Sequence, residues 1–299
     1  MVKVTIMNGI LIIDKPTGLS SHACVARLRR VYGTKKVGHS GTLDVEASGV
    51  LVLGVNQGTK VLSYLNQDDK VYRFGIRFGQ ETDTLDHAGE IIRHVPIDNI
   101  DGLDAALAQC VGPLLQYPPA YSAVKVDGRK LYDYVRRGLP LPMTEARPMT
   151  IYSLKRVADI EPVENGFETV LEMSVSKGFY IRKFAQDLAQ MLNTVAHTTM
   201  IRRLQAGHYA LAEAVPLEAV EADTPLITMG DALRDLPAEV VTGADALYVS
   251  HGRPLVFKQT APLLKVLDAS GRLLAVYEKS DHHYRPRHVF QTMESEEPL

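Results

Sequence analysis

The chain has 299 residues, 45% of them hydrophobic, and a net charge of −2. That is enough apolar material for one large domain plus a small one, and it argues against a disordered chain. Two cysteines, Cys24 and Cys110, sit far apart with no ligand-like spacing, which excludes a disulfide framework or zinc site and suits a reducing cytoplasm.

Taken in chain order, 9–13 reads as a strand. The apolar run Ile10 to Ile13 is too short for a leader and ends at Asp14-Lys15-Pro16. No stretch reaches the ~20 apolar residues of a membrane span, so a soluble, cytoplasmic protein with no membrane partner is expected. Ser20 or Ser21 caps a helix to about Tyr32, with Cys24, Leu28 and Val31 on its buried face. The stretch Gly38-His39-Ser40-Gly41-Thr42-Leu43-Asp44 predicts a tight glycine-rich loop that presents Asp44 beside His39. Asp in such a turn is ordinarily a turn residue. Strand 49–55, a short helix 59–65, strand 70–78 and a helix 98–110 follow, and Pro118-Pro119 then breaks regular structure.

Met149 to Val157 and Phe167 to Val175 read as paired strands. The clearest helix spans about 180–192, with Ile181, Phe184, Ala185, Leu188, Ala189 and Leu192 on one stripe. Short β-like runs occupy 199–211. The acidic stretch 213–239, with three prolines, reads as a connection. Beyond it, 247–249, 263–267 and 273–277 read as short strands, with a hairpin turn at 268–271. Sixty residues of short strands suit a small β-barrel. The tail 294–299 reads as disordered.

The near-neutral total conceals local bias. Residues 1–80 carry eleven Lys/Arg against five acids, whereas 81–104 carries seven acids and one arginine. Basic surfaces that could meet phosphates are therefore available. The phosphate-loop, dinucleotide, zinc-helix and nucleophile-elbow patterns are all absent.

Six segments occur in order. They are the stretch from Gly9 through Lys15-Pro16 to Ser21; Gly38 to Asp44; Lys70-Val71-Tyr72 with Gly79 to Gly89; Pro118 to Lys125, continuing to Arg136; Ser176 to Arg182; and Ile201-Arg202-Arg203-Leu204. Over residues 8–210 this set closely resembles the bacterial tRNA pseudouridine-55 synthases. Where that family usually has proline after its aspartate, this chain has Val45. Ala189 and Asn193 stand where it often has glycine.

The resemblance implies an α+β fold, with a mixed, largely antiparallel central sheet flanked by helices. It implies a catalytic domain over 1–238 and a small β-barrel RNA-binding module of the PUA type over 239–299. The implied reaction isomerises a T-loop uridine of tRNA to pseudouridine, in a monomer that needs no metal or cofactor. Asp44 matches the catalytic carboxylate, which attacks the sugar carbon or removes a sugar proton. Arg182 matches its cationic partner, with Asp86 and Arg136 in a wider charge network and Lys15 bracing the loop. Tyr72, Tyr180 and Ile201 match the pocket of an extruded base, and His39 a residue that holds the extruded nucleotide. Lys125 and the cluster Arg29, Arg30, Lys35 and Lys36 are candidates for phosphate contact. An RNA-guided relative of the family and a non-catalytic RNA binder are the competing readings.

Overall fold

The computed structural model describes residues 7–65 and 69–290. The expected disordered tail lies outside them. The run Gly9–Lys15 is a strand buried on both faces, and the alternation of its side chains divides the core in two. Leu11 and Ile13 join one apolar cluster, and Ile10 and Ile12 another.

That strand belongs to an eleven-stranded sheet. Its central path runs Val215–Pro216, Gly9–Lys15, Ala47–Val55, Ala196–Ala206, Asp69–Phe78, Gly166–Ser176, Arg147–Arg156, Gly112–Gln116. Two neighbouring pairs on this path are parallel, Gly9–Lys15 with Val215–Pro216 and Ala47–Val55 with Ala196–Ala206. The rest are antiparallel, as the expected mixed, largely antiparallel sheet requires.

Three helices cover the face of Leu11 and Ile13. Ser21–Val31 buries Cys24, Val25 and Leu28, and the Ser20 hydroxyl caps it by accepting from Ala23 N at 3.0 Å. Ile181–Met191 buries the predicted stripe from Ile181 to Ala189, with Leu192 half-buried just past its end, and Phe184 meets Phe74 edge-on at 6.1 Å. Asn193, just past this helix, takes φ 55°, a conformation asparagine tolerates where the family often uses glycine. The third helix is Leu103–Cys110 and not 98–110. Asn99 and Gly102 precede it and are poor helix formers.

The C-terminal residues form a four-stranded sheet in the order Ala238–Val240, Leu263–Leu267, Leu273–Ser280, His283–Val289. Among the described residues its outer strands do not pair with each other, so no closed barrel forms. The predicted strand 247–249 lies instead in the helix Gly243–Ser250. Three apolar residues are too few to show a period, and Ala244, Ala246 and Leu247 favour a helix. This sheet has its own cluster around Leu264, Val266 and Tyr277. It also packs Leu273, Val276 and Phe290 onto Ile10, Ile12, Val50 and Val52 of the large sheet. The Tyr64 hydroxyl and His288 Nδ1 are hydrogen-bonded across the same junction.

Candidate active site

The stretch expected as one tight loop is a hairpin. Val37–Ser40 pairs antiparallel with Ala47–Val55, so Gly38 and His39 lie in a strand and residues 41–46 form the connection. Strand pairing across 47–55 overrides the low β-propensity of Gly, His and Ser. Gly49 has φ +104°, and a Cβ there would stand 2.1 Å from the Arg203 carbonyl oxygen. Only glycine fits.

Three buried side chains hold this connection by its backbone. Ser21 Oγ accepts from Leu43 N at 2.9 Å and donates to Leu43 O at 3.0 Å. Lys15 has no exposed surface. Its ammonium donates to Pro16 O at 2.8 Å, Leu19 O at 2.6 Å and Val45 O at 3.3 Å, and burial pushes its pKa down. Arg203, also buried, donates to Gly41 O at 2.9 Å and to Val50 O at 2.7 Å. Val45, the departure from the family pattern, uses its carbonyl in this clamp and also accepts from Gly18 N at 2.9 Å.

Between these anchors stands Asp44. Arg182 Nε and Nη2 reach its Oδ2 at 3.0 and 2.8 Å. The guanidinium also donates to Thr84 O at 2.8 Å and Tyr121 O at 3.0 Å, and its Nε lies 3.8 Å from Asp86 Oδ2. Asp86 is itself fixed, accepting from Thr84 Oγ1 at 2.7 Å and Ala88 N at 3.2 Å. A planar fork with several donors suits such a junction better than a lysine would. Asp44, Arg182 and Asp86 are thus brought together, and Lys15 is joined to them through the backbone at Val45.

Asp44 faces a cleft of about 690 Å³ whose walls include Tyr72, Tyr180, Ile201 and Arg182. Tyr72 and Arg203 are directly paired across neighbouring strands, and so are Phe74 and Ile201. Burial pushes the Tyr180 hydroxyl up in pKa. His39 is not on the cleft wall. Burial and then the Arg203 charge push its pKa down. Arg136 does not join the charge network. It is exposed, stacks over the Tyr132 ring at 5.4 Å, and makes no ion pair with Asp86 among the described residues. Lys125, Arg30, Lys35 and Lys36 are exposed, whereas Arg29 is spent partly on the Val37 carbonyl at 3.2 Å.

Sequence reasoning gave no role to Arg203, Lys70 or Phe179, all of which line the cleft. For two of them a signal existed. A two-residue period puts Lys70 on the face of Tyr72 and Arg203 on the face of Ile201. Among the described residues no cluster of His, Cys, Asp and Glu could hold a metal ion. No helix among them is long and apolar enough to cross a membrane. Chemically, the cleft offers one half-exposed carboxylate beside a buried guanidinium, two tyrosine rings, and further cations suited to a polyanion.

Comparison with known proteins agrees with this inventory. Residues 29–181 match the family model described as TruB family pseudouridylate synthase (N terminal domain). The chain is 38% identical over 302 residues to the tRNA pseudouridine synthase B of Lacticaseibacillus casei (strain BL23), covering 96% of this chain and 97% of that one. It is 40% identical over 256 residues to the enzyme of the same name from Syntrophotalea carbinolica, covering 83% and 82%. Among solved structures, an H/ACA RNP bound to a substrate RNA containing 2′-deoxyuridine superposes with TM-score 0.67 at 19% identity, covering 96% of this chain and 86% of that one. A Cbf5-Nop10-Gar1 complex gives TM-score 0.63 at 22% identity, covering 90% and 78%. At those identities the likeness is one of fold.

Proposed function

Because the chain belongs to the TruB family of pseudouridylate synthases and isomerises uridine to pseudouridine in tRNA, we propose that Asp44 is its catalytic carboxylate and position 55 of the T-loop its target. The observation that carries this reading is the pairing of a half-exposed Asp44 with a buried Arg182 on the wall of the cleft. Binding alone needs no acid facing an RNA backbone.

The reaction breaks the C1′–N1 bond and joins C1′ to C5 of the same uracil. N1 gains a proton and C5 loses one. Asp44 in its charged form serves either route open to a carboxylate, attack on C1′ or removal of a ribose proton. Arg182 holds it in place and aims it, and Asp86 steadies the far side of that guanidinium. Lys15 holds the loop that carries Asp44. Tyr72, Tyr180 and Ile201 receive the extruded base, since a flat aromatic wall replaces part of the stacking lost on flipping. His39, off the cleft wall, meets the RNA beside the flipped nucleotide. The protein acts as a monomer on the T-stem-loop, without guide RNA.

The catalytic unit spans 1–238. The C-terminal sheet from 239 onward serves as a PUA-like RNA-binding module. Its strands and helix support that role, together with its packing beside the cleft-rim segment of Tyr64.

Tritium release from a T-stem-loop transcript labelled at C5 of the target uridine tests the reading. The purified chain alone is expected to release the label. Release only after guide RNA and partner proteins are added would favour the RNA-guided reading.

A further inference from the structure

Six buried side-chain polar atoms among the described residues lack a hydrogen-bond partner, on Asp14, Arg29, Tyr32, His39, Arg77 and Ser122. Ser122 is the one among them that lines the cleft. It is 6% exposed. Its one side-chain neighbour for hydrogen bonding is the Tyr180 hydroxyl, and that contact falls short of well-formed geometry. A buried polar atom without a partner is costly and calls for an explanation.

Looseness does not explain it. The Tyr121 carbonyl accepts from Arg182 Nη2 at 3.0 Å, and the Ser122 carbonyl accepts from Tyr132 N at 3.2 Å. The peptides on both sides of Ser122 are therefore pinned, one of them by the guanidinium that holds Asp44. The hydroxyl is kept at a fixed place on the wall of a site that something must enter.

We infer that Ser122 is a substrate-binding residue whose hydroxyl hydrogen-bonds the polar edge of the extruded uracil. This rests on the proposed base-flipping reaction. A serine hydroxyl donates or accepts, so it meets either a uracil carbonyl or its N3–H. The surroundings favour the base over the backbone. Beside Ser122 stands the Tyr180 ring, which suits a neutral planar ligand, whereas a phosphate finds Lys70, Arg147, Lys177 and Arg203 on the same cleft.

The test uses Ser122→Ala in the full chain with two RNAs. One is the T-stem-loop substrate, and the other is the same RNA with an abasic target nucleotide, used as a competitive inhibitor. The expected result is a kcat/KM on the uridine RNA lowered about tenfold. The inhibition constant of the abasic RNA is unchanged, and so is the thermal midpoint, because the hydroxyl has no well-formed hydrogen bond to lose. An equal loss on both RNAs, no loss on either, or a lowered midpoint that accounts for the activity overturns the inference. A wild-type chain with no activity on the uridine RNA would instead overturn the proposed function, which keeps the two failures distinct.

Discussion

Arg182 keeps only 7% of its side chain exposed, while Asp44, the carboxylate it holds, keeps 49%. The cation is immobilised from behind by the Thr84 and Tyr121 carbonyls, and the anion is left open in front. Such a pair spends little on folding at the acid's side and much at the base's side. The fixed partner then confines a carboxylate that solvent and substrate can both reach.

Replacement of Arg182 follows from that asymmetry. Arg182→Lys keeps a charge for Asp44 but loses the fork that also reaches two carbonyls. On the proposed mechanism kcat falls about 100-fold, the order of one preorganised donor, while KM for the T-stem-loop changes little. Arg182→Ala leaves the two carbonyls without their donor while the half-exposed carboxylate turns to water, and costs about 1–3 kcal/mol in stability. Urea unfolding and steady-state kinetics separate the two effects. A Lys variant with wild-type kcat would contradict the role given to the fork.

Gly49 is a backbone requirement and no part of the chemistry. Gly49→Ala must abandon φ +104° and displace the Arg203 carbonyl, so a loss of about 3 kcal/mol or more is expected. Gly33, at φ +60° with open space around it, provides the control, and Gly33→Ala costs about 1 kcal/mol. Denaturant midpoints of the two variants give the comparison. Equal losses would show that the close approach to Arg203 is not what matters.

The turn at 268–271 makes a pH prediction. Hydrogen bonds from Ser270 and Arg272 hold the Asp268 carboxyl down at about 2. Its folded pKa thus lies below the unfolded value, and the unfolded state binds the extra proton. The stabilisation is fully present above pH about 4 and is lost as pH falls through about 2. Asp268→Ala should show a lower denaturant midpoint at neutral pH and a shallower decline below pH 4. Parallel pH profiles for the two proteins would contradict this.

Much of the fold was legible because its signals are local. The period of Ile181 to Leu192 and the apolar run at 10–13 each name their own element. What was not legible depends on partners far along the chain. Val37–Ser40 is a strand because Ala47–Val55 lies beside it. Residues 247–249 differ for a local reason, because three residues are too few to show a period and Ala244 and Ala246 beside them favour a helix. At the site, Asp44, Arg182, Asp86, Lys15, Tyr72, Tyr180 and Ile201 were all named from motifs. Motifs also named Arg136, which lies exposed over Tyr132, and His39, which is not among the residues lining the cleft. A motif does not say which of its residues a cleft will expose. Ser122 stands in the segment from Pro118 to Lys125 with no role legible there, since a buried hydroxyl without a well-formed hydrogen bond is visible only in three dimensions.

The central claim is that Asp44 carries the reaction. The measurement that tests it most directly is pseudouridine formation at the target uridine of a T-stem-loop transcript by Asp44→Asn, with binding of the same RNA and the denaturant midpoint measured alongside. The account predicts no product above background, RNA affinity close to wild type and a folded protein. Product formation at the wild-type rate by the folded variant would contradict it.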